Sequence, residues 1–339
     1  MKFDVKYTKL GNQFFFISNL TEWHFSYRKD YNDIWLSKTG PLDKKEKVAL
    51  REFKKIIKKY GFIYRKNKSV YLGKIFYTHR EKVIWQKLKS FVNKDEFDKI
   101  KNIFEIFTPR FEKIWKFYEL HFKRLNVIKK SLNLKRNKEL FNKLEFIINR
   151  KRKINKINVV MLFSPHGANA TGAGGANLGE KYVTLEVPDL KLNSWQTDYS
   201  VGVLAHEIGH ILFNKNKYRN IITKLIKKER LTEKKYNNLD PKRPLSEIIE
   251  EIILESLVPF GALAQKYYKY KPIHNFFSDL YILNVGETFI KFKKNKKIPL
   301  RKWRKCLVWY IYPLMSYYVK NDKKIDEDLI KNILFLIKK

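Results

Sequence analysis

Residues 203–212 read Val203-Leu204-Ala205-His206-Glu207-Ile208-Gly209-His210-Ile211-Leu212. Val201, Leu204, Ala205, Ile208, Ile211 and Leu212 recur with a helical period and predict a helix with apolar sides. Thr197 or Asp198 stands where its N-cap belongs. On such a helix His206 and His210 lie one turn apart on one face, so both imidazoles reach a single metal ion. Zinc (Zn2+) suits neutral imidazole ligands and leaves third and fourth positions to be filled. Glu207, beside the first histidine, reaches a water on that ion rather than the ion itself. The metal lowers the pKa of the water toward about 7, and the carboxylate takes its proton. Histidine and glutamate are otherwise poor residues to bury on a helix. The bland alternative is two ordinary helix histidines that share the spacing by chance.

Upstream of this helix, Asn158-Val159-Val160-Met161-Leu162-Phe163 is a continuous apolar run that suits a buried strand. A second strand candidate, Tyr182 to Val187, ends at Pro188. Between them, Gly172-Ala173-Gly174-Gly175-Ala176 has neither a Walker lysine nor a dinucleotide fingerprint, so it reads as a connection between strands rather than a phosphate loop. Downstream, Leu245 to Leu257 carries isoleucines on several sides and reads as a buried helix. Its carboxylates, Glu247, Glu250, Glu251 and Glu255, then need partners.

Through residues 203–212 the chain resembles the zincin metalloproteases, and the resemblance extends over about 157–260. It implies a mixed sheet followed by the HExxH helix. It also implies that the last strand before that helix, an edge strand, binds extended substrate; Tyr182 to Val187 stands in that place. No third histidine follows at metzincin spacing, since the next after His210 is His274. The gluzincin subgroup fits better, with an acidic third ligand on a second helix. A further acidic residue four positions on hydrogen-bonds a metal-binding histidine. On this resemblance Glu251 is the third ligand and Glu255 the supporting carboxylate. Glu247 with Glu251 is the competing pair, and Glu250 also stays open. The donor to the oxyanion is unassigned among Tyr267, Tyr268, Tyr270 and His274.

Farther upstream the pattern is mostly helical and basic. Lys45 to Tyr60 places Val48, Phe53, Ile56, Ile57 and Tyr60 on one face, with Gly61 as a stop. Phe111, Ile114, Trp115, Tyr118, Phe122 and Leu125 form an aromatic stripe of the core type. A further helix is predicted near Glu139 to Asn149. Phe14-Phe15-Phe16-Ile17 fits a strand or a short helix, and Arg150-Lys151-Arg152-Lys153 reads as a solvated connection. The expectation is a helix-rich α+β protein. Residues 1–155 form a mostly helical basic region and 156–339 a zincin-like metal-binding catalytic region, and the two can form one compact unit.

A content of 44% hydrophobic residues excludes a disordered chain. The lone Cys306 excludes an intrachain disulfide and a cysteine metal cluster, which fits a reducing compartment. The N-terminus lacks an apolar signal region. No apolar run of about 18 residues occurs; the nearest, Cys306 to Val319, reads as a buried helix or helix pair. A cytoplasmic protein without a membrane span is expected. The net charge of +38 allows weak polyanion binding through a basic surface. An AT-rich genome gives the same excess of Lys, Asn, Ile, Phe and Tyr without any such partner. The leading function is therefore a zinc metallopeptidase acting on peptide or protein. The alternatives are a basic nucleic-acid-binding or regulatory protein with an inactive zincin core, and a zinc hydrolase with a non-peptide substrate.

Overall fold

The computed structural model describes residues 1–23, 27–61, 71–119, 123–148, 154–165, 174–179, 181–188, 194–215, 218–231, 244–269 and 300–338. The chain divides into two compact units that interleave along the sequence. One holds Lys2–Leu132 and Ile154–Ser200; the other holds Asn133–Lys153 and Val201–Lys339, with Met1.

The first unit contains a four-stranded mixed sheet in the order β1-β2-β4-β3. Strand β1 (Lys2–Lys6) runs parallel to β2 (Lys156–Ser164), in register from Lys2↔Lys156 to Lys6↔Val160. Strand β2 is buried from Ile157 to Ser164, as a parallel strand covered on both faces must be. β3 (Gly175–Asn177) is antiparallel to β4 (Tyr182–Pro188), which is parallel to β2. The strand expected at the edge is therefore interior: β4 has β2 on one side and β3 on the other. The reason lies in the glycine-alanine stretch. Instead of only connecting strands, its last residues fold back on β4 and take the edge.

The same unit holds α1 (Lys9–Leu20), which packs on β2, and α2 (Lys29–Thr39), α3 (Lys44–Tyr60), α4 (Leu72–Thr78), α5 (Glu81–Phe91), α6 (Lys94–Glu119) and α7 (Lys123–Asn133). The Phe14–Ile17 run is helical. Thr8 caps α1 by accepting from the Gly11 N–H, and Phe14 stacks on Phe76 at 4.4 Å between ring centroids. Helix α3 begins with a capping box of Asp43 and Glu46 and ends at Gly61, whose φ of 84° suits glycine. Its Val48 is 44% exposed, so the apolar face is narrower than its periodicity predicts. Phe111, Ile114 and Trp115 of α6 are buried. Phe122 and the side chains of Tyr118 and Leu125 lie outside the described residues, as does the run 150–153.

The second unit is helical. It contains α8 (Lys135–Ile147), α10 (Tyr218–Lys228), α11 (Leu245–Leu257), α12 (Ala262–Tyr268), α13 (Leu300–Lys320) and α14 (Glu327–Lys338). Helix α9 (Ser194–Lys215) belongs to it from Val201 onward. Because α9 already begins at Ser194, Thr197 and Asp198 sit inside the helix rather than at its cap, and both are buried. Helix α13 is a single helix that runs through Pro313. Helix α11 is the hub. It packs against α10, α12 and α13, and its isoleucines and leucines are buried on several sides. Helix α9 approaches α11 closely at Gly209 and the segment just after α11 at Gly202. A Cβ on Gly202 would stand 2.8 Å from Pro259 Cβ, and one on Gly209 would stand 2.5 Å from Leu254 Cδ2. No described helix is long and apolar enough to cross a membrane.

Candidate metal centre

Helical spacing brings His206 and His210 together on α9. Their ring centroids are 4.9 Å apart with planes at 81°, and the two Nε2 atoms are 3.2 Å apart. Glu251 reaches them from α11, with Oε2 at 3.3 Å from His206 Nε2 and Oε1 at 3.6 Å from His210 Nε2. Zinc bonds of about 2.0–2.1 Å at tetrahedral angles hold ligand atoms roughly 3.3 Å apart. The two imidazole nitrogens stand at that separation, and each has a different Glu251 oxygen near it, Oε2 at His206 and Oε1 at His210. Among the described residues His206, His210 and Glu251 form a group that could hold a metal ion.

The tautomer of His210 fits the same use. Its Nδ1–H donates to Glu250 Oε1 at 2.7 Å, which turns Nε2, the nitrogen left for a metal, toward Glu251 and His206. Glu250 is fully buried, yet both of its oxygens are satisfied. Oε2 accepts from Arg219 Nε at 2.9 Å and Nη2 at 2.6 Å, while Arg219 Nη1 donates to Glu247 Oε1 at 3.2 Å. His206 Nδ1 is buried without a hydrogen-bond partner among the described residues. Glu207 is half-buried, and its charge favours the protonated form of both rings.

Charge balance in this cluster is tight. Burial alone lowers the pKa of His210. The charge of Glu251, the hydrogen bond to Glu250 and the charges of Glu250 and Glu207 outweigh burial and push it up to about 9. Burial likewise lowers His206, and Glu251, hydrogen-bonded to it, more than compensates, so it is raised as well. For Glu251 burial acts upward, but the two histidines and Arg304 hold the carboxyl well below its ordinary range. Burial dominates at Glu255 and raises it, although Arg304 opposes the shift.

The structure thus brings together His206, His210 and Glu251, with Glu207 alongside. It does not bring Glu255 to an imidazole. Glu255 Oε1 pairs with Arg304 Nη2 at 2.8 Å, and the support expected from Glu255 comes instead from Glu250 on His210. The helix explains the exchange. Glu250 is the neighbour of Glu251 on the His210 side, whereas Glu255 lies a turn further along, where Arg304 of α13 meets it. Tyr267 and Tyr268 are on α12; Tyr270 and His274 lie outside the described residues.

Arg219 and Arg304 were not legible as site residues. Each is one of 72 Lys and Arg residues with no local pattern to distinguish it. The available signal was indirect: four carboxylates on a buried helix require cations.

No family model, curated protein or solved structure matches this chain. The residues themselves form a His-His-Glu group that could hold a metal, backed by carboxylate and guanidinium partners.

Proposed function

We propose that the protein is a zinc-dependent metallopeptidase with a gluzincin-like core, in which His206, His210 and Glu251 hold the ion and Glu207 is the general base. The observation that carries this reading is the convergence of the three groups at 3.2, 3.3 and 3.6 Å, with His210 Nδ1 held by Glu250 so that Nε2 faces the others. Two imidazoles and one carboxylate match the donors that a catalytic zinc takes while keeping one position open. When bound, zinc supplies Lewis-acid polarisation of a carbonyl and lowers the pKa of water. Glu207 takes the proton from the attacking water and hands it to the leaving amine, so one carboxylate serves as base and then as acid. Glu250 holds the His210 ring in orientation, and Arg219 holds Glu250.

The test is the zinc-loaded Glu207→Gln variant on a mixture of peptides. Glutamine keeps the shape and removes the base. We expect one zinc per chain to be retained and turnover to fall by 10²-fold or more. Turnover within about threefold of the parent would remove Glu207 from its role. Absence of zinc from both proteins would remove the metallopeptidase reading itself.

A further inference from the structure

From Cys306 to Val319 the chain runs fourteen residues without a charge, all of them within α13. A helix that is apolar on every side is ordinarily buried on every side. This one is buried on part of its circumference, through Cys306, Leu307, Ile311, Met315, Tyr318 and Val319. Elsewhere it meets solvent: Tyr310 is 42% exposed, Tyr317 is 48% exposed, Pro313 is exposed and Leu314 is half-buried. At 3.6 residues per turn these four residues fall within roughly 100° of arc, so they form one stripe along the helix. A helix side that faces water normally carries charge, whereas this one carries two phenols, a proline and a leucine. A contiguous apolar face of this kind marks a contact surface.

Charge at the end of the stripe selects the partner. Lys320 is exposed on the next turn of α13, and Lys323 Nζ lies 4.7 Å from the ring centroid of Tyr317 and 5.8 Å from that of Tyr318. The acids at this corner are engaged: Asp322 pairs with Lys143, and Asp326 accepts from the Tyr318 hydroxyl. Two copies of a chain that carries a net +38 repel each other, which argues against a second copy as the cover. We propose that this face of α13 rests on an anionic lipid bilayer, with the helix lying in the membrane plane and its stripe at the level of the headgroups. Tyrosine settles at the boundary between lipid and water, and a lysine stem follows apolar surface while its ammonium reaches phosphate. Single-stranded nucleic acid also takes tyrosine and lysine, but Pro313 and Leu314 between the two rings offer a base neither a stacking plane nor a hydrogen bond. The contact is peripheral, since no described helix is long and apolar enough to cross a membrane. It does not depend on the metal reading.

The experiment is co-sedimentation of the full chain with lipid vesicles at physiological ionic strength, where screening limits binding by scattered surface lysines. The protein should bind vesicles of mixed phosphatidylglycerol and phosphatidylcholine, and not vesicles of phosphatidylcholine alone. Tyr310→Ser combined with Tyr317→Ser leaves every charge in place and should weaken binding by about tenfold or more. Lys320→Gln combined with Lys323→Gln should weaken it by a similar factor, since one lysine near an anionic surface contributes about fivefold. If the tyrosine variant binds within about threefold of the parent, charge alone brings the protein to the vesicles and the proposal falls. Equal binding to phosphatidylcholine alone overturns it, and so does a parent that binds neither vesicle. If the tyrosine variant instead loses binding to a single-stranded oligonucleotide while vesicle binding is unchanged, the face belongs to nucleic acid. If the parent sediments as a dimer that the tyrosine variant dissolves, the face belongs to a second copy. Either result overturns the proposal. Should the double tyrosine variant not fold, Tyr317→Glu takes its place, and parent-like vesicle binding by it is equally fatal.

Discussion

Among single residues, Glu250 shows most clearly how the site is held. It has no exposed surface, and each carboxylate oxygen has a charged or polar donor. A buried charge is tolerable only when so paired, and removing one partner leaves the others stranded. We therefore expect Glu250→Ala to cost about 3–5 kcal/mol of stability, since it leaves the Arg219 cation and the His210 N–H without their acceptor. Glu250→Gln keeps an oxygen for His210, should fold, and should lower zinc affinity by roughly 10–100-fold. Competition against a chromophoric chelator measures it, and parent-like affinity in Glu250→Gln would refute the orienting role. At this scale the meeting of His206 and His210 was readable, because spacing on a helix is a local property, while Glu251, on another helix, was singled out through the resemblance. The division of labour between Glu250 and Glu255 was not. It depends on which arginine arrives from another helix, and nothing near Arg219 or Arg304 in sequence records that.

Among elements, the distance between α9 and α11 decides whether histidines and carboxylates can meet at all. Two glycines on α9 allow close approaches, Gly209 to α11 itself and Gly202 to Pro259 just beyond its end. At Gly202 an added Cβ meets the ring and backbone of Pro259, at 2.8 Å from Cβ and 3.0 Å from Cα. At Gly209 it meets only the methyl end of the buried Leu254 side chain, not backbone. Both alanine substitutions gain about 1 kcal/mol of helix propensity, and overpacking costs typically about 1–3 kcal/mol. Gly202→Ala should therefore be net destabilising and Gly209→Ala close to neutral. Thermal melts of the two variants rank them, and a Gly202→Ala protein at least as stable as Gly209→Ala would contradict this packing. The element scale also shows where periodicity stops informing. Lys45 to Tyr60 announces its helix through spacing and the Gly61 stop. The run Phe14–Ile17 has four apolar residues in a row, which a buried strand and a helix buried on all sides share. Strand β4 was placed at an edge through the resemblance, and nothing in the short run Gly175 to Asn177 marks it as the strand that takes that edge.

For the whole molecule, the helix-rich α+β character was legible from composition and period. The pairing of β1 with β2 was not, since partners drawn from residues 2–6 and 156–160 leave no local trace of their register. The same scale governs the response to pH, where folding and metal binding should run in opposite directions. In the metal-free protein His210 titrates at about 9, above its ordinary value of 6.5. A raised histidine stabilises the fold fully below about 6.5, and that contribution is lost as pH climbs through about 9. Glu251 is depressed from 4.5, so its contribution is present above about 4.5 and is lost as pH falls through its lower folded value. The metal-free protein should thus draw most from this cluster between about pH 4.5 and 6.5 and become less stable toward pH 9. Zinc binding requires both imidazoles to be deprotonated, so below about pH 9 the ion must displace at least the His210 proton. Apparent affinity should then rise by at least about tenfold per pH unit between 6.5 and 8.5, with proton release visible as a buffer-dependent heat of binding. A ligand that binds only the folded state stabilises in proportion to the logarithm of its concentration over its dissociation constant. At a fixed concentration of free zinc, the gain in melting temperature on loading should therefore be larger at pH 8.5 than at pH 6.5, while the metal-free melting temperature falls over the same interval. Equal gains at the two pH values would show that the metal does not compete with the His210 proton, and so that His210 is not among its ligands.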